Sequence, residues 1–276
     1  MITATTTTTG SARPFVKWAG GKARLANAIM ARFPERYGTY HEPFLGGGAV
    51  FFALRPTRAR LSDVNAELIN AYRTVRTAPI ELGRRLQQQP ISREHFYAVR
   101  SLNPQGLSEF DRAARFIYLN KTCFNGLYRV NREGRFNVPF GRPRPQPFDT
   151  EVLRASSEAL ERTDLATASA FDVLADAERG DLVYLDPPYA PLSPTASFTG
   201  YTPGGFGADS QAQLAELFFT LERRGVHVVA TNADVPLIRH LYRHAMVTPI
   251  RAKRSISVNT RRRRPVTELV IGLRRC

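Results

Sequence analysis

Two blocks of alternating strand and helix pattern, separated by a long stretch without such alternation, most constrain what this chain can fold into. The first block has an extended run from Tyr40 to Phe44, a glycine turn, a buried helix start and a short strand that leads to Asp63. The second block resumes near residue 163 and continues to the last predicted strand, at 266–273. Strands that alternate with helices are typical of a mainly parallel sheet covered by helices. We therefore predict a doubly wound α/β fold.

The stretch between the two blocks is predicted to be an inserted, mainly helical domain. Glu109 to Leu119 has a helical pattern. Asn131 to Arg135 has hairpin-turn composition, and arginines and aromatics are interleaved along its arms. The sequence therefore indicates a disordered lead-in at 1–12, a sheet domain built from 13–76 and 163–276, and an inserted domain at 77–162.

The chain is strongly basic. It has 39 lysines and arginines against 24 acidic residues, which gives a formal net charge of +15. This excess favours polyanions, and nucleic acid above all, as partners. A general bias toward basic composition would give the same count, and the arginine cluster at 261–264 could be a solvated loop. Charge alone therefore leaves the partner open.

Several classes of protein are disfavoured by composition. No stretch approaches the ~18 apolar residues of a membrane span, and the threonine-rich N-terminus lacks the features of a secretory signal. Cys123 and Cys276 cannot form a disulfide framework or a cysteine-rich zinc site, and the five histidines have no metal-ligand spacing. We expect a cytoplasmic protein without a membrane span or a bound metal.

The sharpest chemical motif is Asp-Pro-Pro-Tyr at residues 186–189, after the buried strand pattern of 182–185. In doubly wound sheets, ligands bind beyond the carboxyl ends of strands. The two prolines stiffen the turn and lack N–H groups, which leaves carbonyls as outward acceptors. A carboxylate beside such carbonyls and an aromatic ring suits a planar exocyclic amine. Asp186 and the Pro187 carbonyl would accept its hydrogens, and Tyr189 would stack on the base. A proline-marked strand exit without chemistry is the alternative for this motif alone.

A second motif, Phe44-x-Gly46-x-Gly48, lies between a predicted strand and a predicted helix. It allows close backbone approach and offers free N–H groups to an anionic or carboxylate-bearing cofactor. Phe51 occupies the third glycine position of a dinucleotide fingerprint, which argues against an NAD-dependent oxidoreductase. Asp63 lies where an acidic residue can bind ribose hydroxyls. A nucleoside cofactor without a pyrophosphate fits best.

In this order, the motifs resemble those of the DNA adenine methyltransferase (Dam) family, which uses S-adenosylmethionine. The resemblance covers nearly the whole chain except the first dozen residues and parts of 77–105. It implies a Rossmann-like methyltransferase sheet with an inserted target-recognition domain that carries a β-hairpin. The segments that carry it are 15–22, 42–48, 63–65, 118–121, 124–127, 129, 136–141, 186–192, 198–199 and 254–257.

The resemblance also implies roles for individual residues. S-adenosylmethionine would be bound by Trp18, Lys22, Phe44, Gly46, Gly48, Asp63, Asp172 and Asp186. Catalysis would use Asp186, Pro187, Pro188 and Tyr189. Double-stranded DNA would be contacted by Lys17, Phe124, Asn125, Leu127, Arg129, Pro139, Arg254 and Asn259. Asp172 could instead cap a helix. Arg129 is expected to read a guanine, because a guanidinium can bond O6 and N7 together.

The activity implied is transfer of a methyl group to N6 of adenine in DNA, with GATC as the usual family target, by a monomer associated with the nucleoid. The base would be flipped out of the duplex. Cytosine-C5 methylation is disfavoured because neither cysteine has the context of a nucleophile. Two departures leave the target sequence open: Phe124 stands where tyrosine is common, and Tyr128 stands where some relatives have a small residue.

Three alternatives use the same fold. A cytosine-N4 or an RNA adenine methyltransferase could direct the same carboxylate and prolines at another exocyclic amine, and a catalytically silent regulator would bind DNA without product. The sequence is equally compatible with a solitary methylase and with half of a restriction-modification pair.

Overall fold

Seven strands form one sheet in the computed structural model, which describes residues 12–190, 206–252 and 266–272. The strands are β1 Tyr40–Glu42, β2 Ala59–Asp63, β3 Thr163–Thr167, β4 Leu182–Leu185, β5 His227–Ala233, β6 Met246–Ala252 and β7 Val266–Gly272. Their order is β3-β2-β1-β4-β5-β7-β6, with β1 to β5 parallel and β7 antiparallel to both of its neighbours. The α/β prediction is confirmed.

The central strands are apolar because both faces of the sheet are covered. All four residues of β4 are buried, as are six of the seven in β5. Parallel strands buried on both sides are continuous apolar runs, and this pattern predicted β4 with its observed bounds. The strand order reverses between β1 and β4, which are hydrogen-bonded neighbours. The carboxyl ends of these two strands therefore border the crevice in which such sheets bind ligands.

Ten α-helices lie in the described residues. Those of the sheet part are α1 Ala26–Met30, α2 Ala49–Leu54, α3 Ala66–Thr77, α8 Ala170–Val173, α9 Ala208–Arg223 and α10 Pro236–Leu241. Those of the inserted segment are α4 Pro79–Gln87, α5 Arg93–Ser101, α6 Glu109–Thr122 and α7 Thr150–Leu160. Helices α6 and α7 pack against α3, so the inserted segment shares a hydrophobic core with one face of the sheet.

The predicted hairpin forms as a short turn. Val130 and Phe136 make a single bridge, and the Asn131 N–H donates to the Arg135 carbonyl over 2.9 Å. The Asn131 side-chain oxygen also accepts the N–H of Arg135 over 2.9 Å. Gly134 has φ +74°, a conformation that glycine adopts without strain. Side-chain bonds and a glycine thus close this turn without a long strand ladder.

Within the described ranges, no helix combines the length and apolar character of a membrane crossing. The same part of the chain has no group of three or more histidine, cysteine, aspartate or glutamate residues able to hold a metal ion. Four predictions lie outside the described residues: positions 1–11 of the 1–12 lead-in, the arginine cluster at 261–264 and the DNA contacts Arg254 and Asn259. Ala12, the last residue of the predicted lead-in, is buried.

Candidate active site

A cavity of about 460 Å³ opens at the carboxyl ends of β1, β2 and β4. This volume lies within the range of roughly 300–1,000 Å³ found for small-molecule sites. The cavity brings together all but one of the predicted cofactor residues and the whole predicted catalytic motif. Its walls include Trp18, Lys22, Phe44, Gly46, Gly48, Asp63, Asp186, Pro187, Pro188 and Tyr189.

The glycine turn between β1 and α2 packs closely against Trp18. Gly46 and Gly48 have φ +47° and +65°. A Cβ at Gly46 would lie 2.6 Å from Cδ1 of Trp18, and one at Gly48 would lie 2.7 Å from the Tyr72 hydroxyl oxygen. The Gly46 N–H donates to Asp63 over 3.0 Å, and the Gly48 N–H donates to the Leu45 carbonyl over 2.7 Å. These two amides are therefore engaged within the protein, and the expectation that they are free was wrong.

Asp63 is fixed at the end of β2 by backbone donors. One carboxylate oxygen accepts the Gly46 N–H and the other accepts the Asn65 N–H over 2.9 Å. Burial raises the pKa of Asp63, and these two hydrogen bonds oppose that rise. Each carboxylate oxygen can accept more than one hydrogen bond, so Asp63 keeps capacity for a hydroxyl of a ligand.

Asp186 lies at the centre of a buried polar cluster. Its Oδ1 accepts the Thr231 hydroxyl over 2.8 Å and lies 3.0 Å from Nζ of Lys22. Only 4% of the Lys22 side chain is exposed, and its ammonium also lies 3.8 Å from Glu268. A buried charge is costly unless it is paired, and here one ammonium is shared by two carboxylates. The pair holds Asp186 in a fixed position.

The ring of Tyr189 is held at one face and at its hydroxyl. Nζ of Lys22 lies 4.6 Å from the ring centroid, a cation–π distance. The hydroxyl donates to Glu268 over 2.7 Å. Burial and the nearby carboxylates Asp186 and Glu268 raise the pKa of Tyr189 well above its usual value, so the phenol stays protonated. The ring is thereby oriented on the cavity wall.

The second proline of the motif is held by two buried amide side chains. Its carbonyl, that of Pro188, accepts a hydrogen bond from the Gln211 side chain over 2.8 Å. Gln211 in turn accepts from the Asn232 amide over 2.9 Å, and Asn232 accepts the Ala190 N–H over 3.3 Å. Both amide side chains are fully buried. The Pro188 carbonyl is thus used within the protein and is not the outward acceptor that the sequence indicated.

Glu42 is a cavity residue to which the sequence gave no role. It ends β1, is buried, and lines the cavity. One oxygen accepts from the Tyr40 hydroxyl over 2.8 Å and from the Phe51 N–H over 3.1 Å. Burial is the main cause that raises its pKa to about 8. The signal that could have identified Glu42 as a site residue was an acidic residue at a strand position that the pattern predicts to be buried.

Asp172 lies outside the cavity lining. The Ser169 hydroxyl donates to its carboxylate over 2.7 Å and accepts its backbone N–H over 3.3 Å. Ser169 is therefore the N-cap of α8, and Asp172 supports that cap. The sequence allowed Asp172 itself to be the capping residue. The neighbouring Phe171 lines the cavity instead, together with Val64, and both side chains are partly exposed.

Six of the eight predicted DNA-contacting residues lie in the described part of the chain, on segments that contact one another next to the cavity residue Trp18, and are here called the recognition surface. Gly126, with φ +65°, lets the turn approach Lys17 closely, because a Cβ there would overlap the lysine stem. The Phe124 N–H donates to the Pro139 carbonyl over 2.9 Å. Nε of Arg129 donates to the Asn137 side chain over 2.7 Å. The recognition surface comprises Lys17, Phe124, Asn125, Leu127, Arg129 and Pro139, all exposed except the half-buried leucine.

Comparison with known proteins gives a consistent result. The family model described as D12 class N6 adenine-specific DNA methyltransferase matches residues 18–256. The Type II methyltransferase M1.LlaDCHI of Lactococcus lactis subsp. cremoris is 40% identical over 268 residues, which are 94% of each chain. A DNA adenine methylase of Vibrio cholerae serotype O1 is 38% identical over 94% of this chain and 95% of its own length. The DNA adenine methylase of Escherichia coli (strain K12) is 37% identical over 94% of each chain.

Proposed function

The chain belongs to the D12 class of N6 adenine-specific DNA methyltransferases, and from that premise we propose that it binds S-adenosylmethionine in the cavity and methylates adenine within GATC in double-stranded DNA. The observation that carries the proposal is the meeting of two sequence motifs on one cavity. The glycine turn with Asp63 forms one wall, and residues 186–189 form the other. The strand order of the sheet brings both to the switch point.

The cavity residues fit S-adenosylmethionine, which supplies the electrophilic methyl group when bound. Asp63 is fixed where it can accept ribose hydroxyls. Val64 and Phe171 offer apolar surface to the purine. Among the described residues, Asp186 and Glu268 face a single ammonium, and this excess of carboxylates suits a cationic sulfonium ligand. The closely packed turn at Gly46 brings Trp18 to the same wall.

Asp186 and Pro187 would act on the adenine amine. N6 is a poor nucleophile because its lone pair is delocalised into the ring. The two N–H groups of N6 would donate hydrogen bonds to the Asp186 carboxylate and the Pro187 carbonyl. These bonds would draw the nitrogen toward sp3 geometry and direct its lone pair at the methyl group. The contacts of Asp186 with Thr231 and Lys22 both use Oδ1, and we assign Oδ2 to the amine. The rate gain then comes from positioning and electrostatics.

The target adenine must leave the duplex to reach this wall, as in other enzymes that modify bases. Tyr189 offers one ring face to the base, and the other face is next to Lys22. The fixed orientation of that ring would restrict the flipped base to one plane. This step explains why an exposed recognition surface adjoins a buried chemical site.

We assign target recognition to residues 77–162 and guanine reading to Arg129. Nε of this arginine donates to the Asn137 side chain, and we assign its two terminal nitrogens to O6 and N7 of a guanine. Phe124 is 41% exposed and offers an apolar face to a base. Arg254 and Asn259 are proposed to contact DNA as well. The enzyme would act as a cytoplasmic, nucleoid-associated monomer.

The test is methylation of defined duplexes with S-adenosylmethionine labelled in its methyl group. GATC duplexes, single-base variants of that site and matched RNA are compared, and the modified nucleosides are identified by mass spectrometry. The proposal expects N6-methyladenine in the GATC duplex, with each variant much slower. N4-methylcytosine or methylated RNA would support the alternative enzymes. Tight DNA binding without any product would support the silent regulator.

A further inference from the structure

The side chain of Tyr128 lies between the cavity and the recognition surface. Its ring stacks on Trp18 with centroids 5.7 Å apart and planes inclined by 21°. Trp18 lines the cavity. In the chain, Tyr128 stands between Leu127 and Arg129, both members of the recognition surface. One side chain therefore touches the proposed cofactor wall while its backbone belongs to the segment proposed to read DNA.

Tyr128 is further enclosed by two rings of the inserted segment. Phe116 and Phe136 have centroids 5.3 Å and 5.8 Å from the tyrosine ring. Burial raises the pKa of Tyr128 to about 12, while a hydrogen bond with the Asn65 side chain acts in the opposite direction. Asn65 also lines the cavity. The ring and the hydroxyl of Tyr128 thus both meet residues of the cavity wall.

A buried amide joins the same two segments through the backbone. The Asn120 side chain accepts the Lys17 N–H and donates to the Lys17 carbonyl, each over 2.8 Å. It also donates to the Gly126 carbonyl over 3.3 Å. Asn120 is fully buried. The loop that contains Trp18 and the turn before Tyr128 are therefore tied together, and a close-packed contact of this kind transmits displacement.

We propose that Tyr128 is a positioning residue that couples cofactor binding to target recognition through its stack on Trp18; this inference rests on the proposed function. A cofactor that fixes the Trp18 ring also fixes Tyr128, and with it the backbone of Arg129. Because binding linkage is reciprocal, a target duplex that fixes Arg129 must raise cofactor affinity by the same factor. The sequence alone offered no reason for a tyrosine at this position, and the stack on Trp18 supplies one.

The test uses the fact that Trp18 is the only tryptophan of the chain, so its emission reports on this stack. The dissociation constant of S-adenosylhomocysteine is measured by tryptophan fluorescence, and independently by calorimetry, with and without saturating GATC duplex. The ratio of the two constants is the coupling factor. We expect a factor of about five or more in the wild type and a factor near one in Tyr128→Leu. The affinity of Tyr128→Leu without DNA should stay within a few-fold of that of the wild type.

Two further variants separate the stack from other effects. Tyr128→Phe keeps the ring and loses the hydroxyl, so it should keep the coupling factor. Tyr97→Leu is the matched control, because it makes the same chemical change in the inserted segment at a ring that contacts Phe96 and Arg100. This variant should behave as the wild type. Tyr128→Met provides the same test as Tyr128→Leu if the leucine variant does not unfold cooperatively.

An unchanged coupling factor in Tyr128→Leu or Tyr128→Met would overturn the inference, as would an equal loss in Tyr97→Leu or a loss in Tyr128→Phe. A wild type that binds both ligands with a factor of one would also overturn it, and would leave the proposed function standing. A wild type that binds neither S-adenosylhomocysteine nor the duplex would overturn the proposed function itself.

Discussion

At the cavity, Asp186 and Lys22 are held by buried side chains from distant parts of the chain, whereas at the recognition surface Arg129 and Phe124 are exposed and have few partners. Thr231 and Glu268 complete the cavity contacts. Hydrogen bonds of the surrounding backbone and a single side chain position the recognition residues. The contrast suits the two proposed tasks, because methyl transfer requires fixed geometry and sequence reading requires side chains that can reach into a groove. Substitutions at the cavity should therefore lower turnover, whereas substitutions at the recognition surface should change sequence preference.

The largest effect is expected for Asp186→Ala. Loss of the carboxylate removes the contact proposed to the reacting amine, so turnover should fall by about 10³-fold or more while DNA binding stays within a few-fold. Turnover and gel-shift affinity are measured on the same preparation, with Asp176→Ala, an exposed aspartate before β4, as the control. Turnover within tenfold of the wild type would contradict the role given to Asp186.

A smaller loss of turnover is expected for Gln211→Leu. Gln211 touches neither ligand in the proposed function and acts by holding the Pro188 carbonyl. Its loss should lower kcat by about 10–100-fold, since misplacement of a catalytic group by about 1 Å costs up to 10²-fold, and should leave KM for the cofactor nearly unchanged. Gln105→Leu, at an exposed glutamine, is the control. A rise in KM at constant kcat would show that Gln211 supports binding and does not position the motif.

The sequence predicted the cavity residues that belong to contiguous motifs. It missed the residues that join the site only through tertiary contacts. The glycine turn and residues 186–189 each follow a strand and Asp63 ends one, so the parallel order of the sheet brings them together. Gln211 and Glu268 belong to α9 and β7 and have no motif around them. Asp172 lies outside the cavity lining, and a local serine cap competes for its carboxylate.

Prediction of the fold was likewise limited to features that have a local pattern in the sequence. Strands β4 and β5 could be predicted because they are short apolar runs. Helices α4, α5 and α7 were not predicted individually, although their few buried residues recur at helical spacing opposite a polar face. Tyr128 was noticed only as a departure from the family. Its partner Trp18 is more than a hundred residues away, and no local pattern connects the two.

At the recognition surface, Arg129→Ala should change specificity more than turnover. A bidentate contact to guanine gives about 1–3 kcal/mol of discrimination, so preference should fall by about 5–150-fold at one guanine position only. Methylation rates are compared on GATC and on variants at each guanine. Arg132→Ala, an exposed arginine in the same turn, is the control and should retain specificity. An equal loss on every substrate would mean that Arg129 binds the DNA backbone.

The smallest effect is expected for Glu42→Gln, and it concerns stability. Burial raises the pKa of Glu42 from about 4.5 to about 8, so the folded protein holds a proton that the unfolded chain loses. This stabilisation is complete below pH ~4.5 and is lost as the pH rises through about 8. Glu42→Gln keeps the neutral shape, so the fall in Tm between pH 5.5 and 8.5 should shrink by a few degrees, which corresponds to about 1–2 kcal/mol. Thermal unfolding is followed at both pH values. Equal slopes in the two proteins would show that Glu42 is ionised in the fold, and the cavity would then carry one more negative charge toward a cationic cofactor than the burial of Glu42 implies.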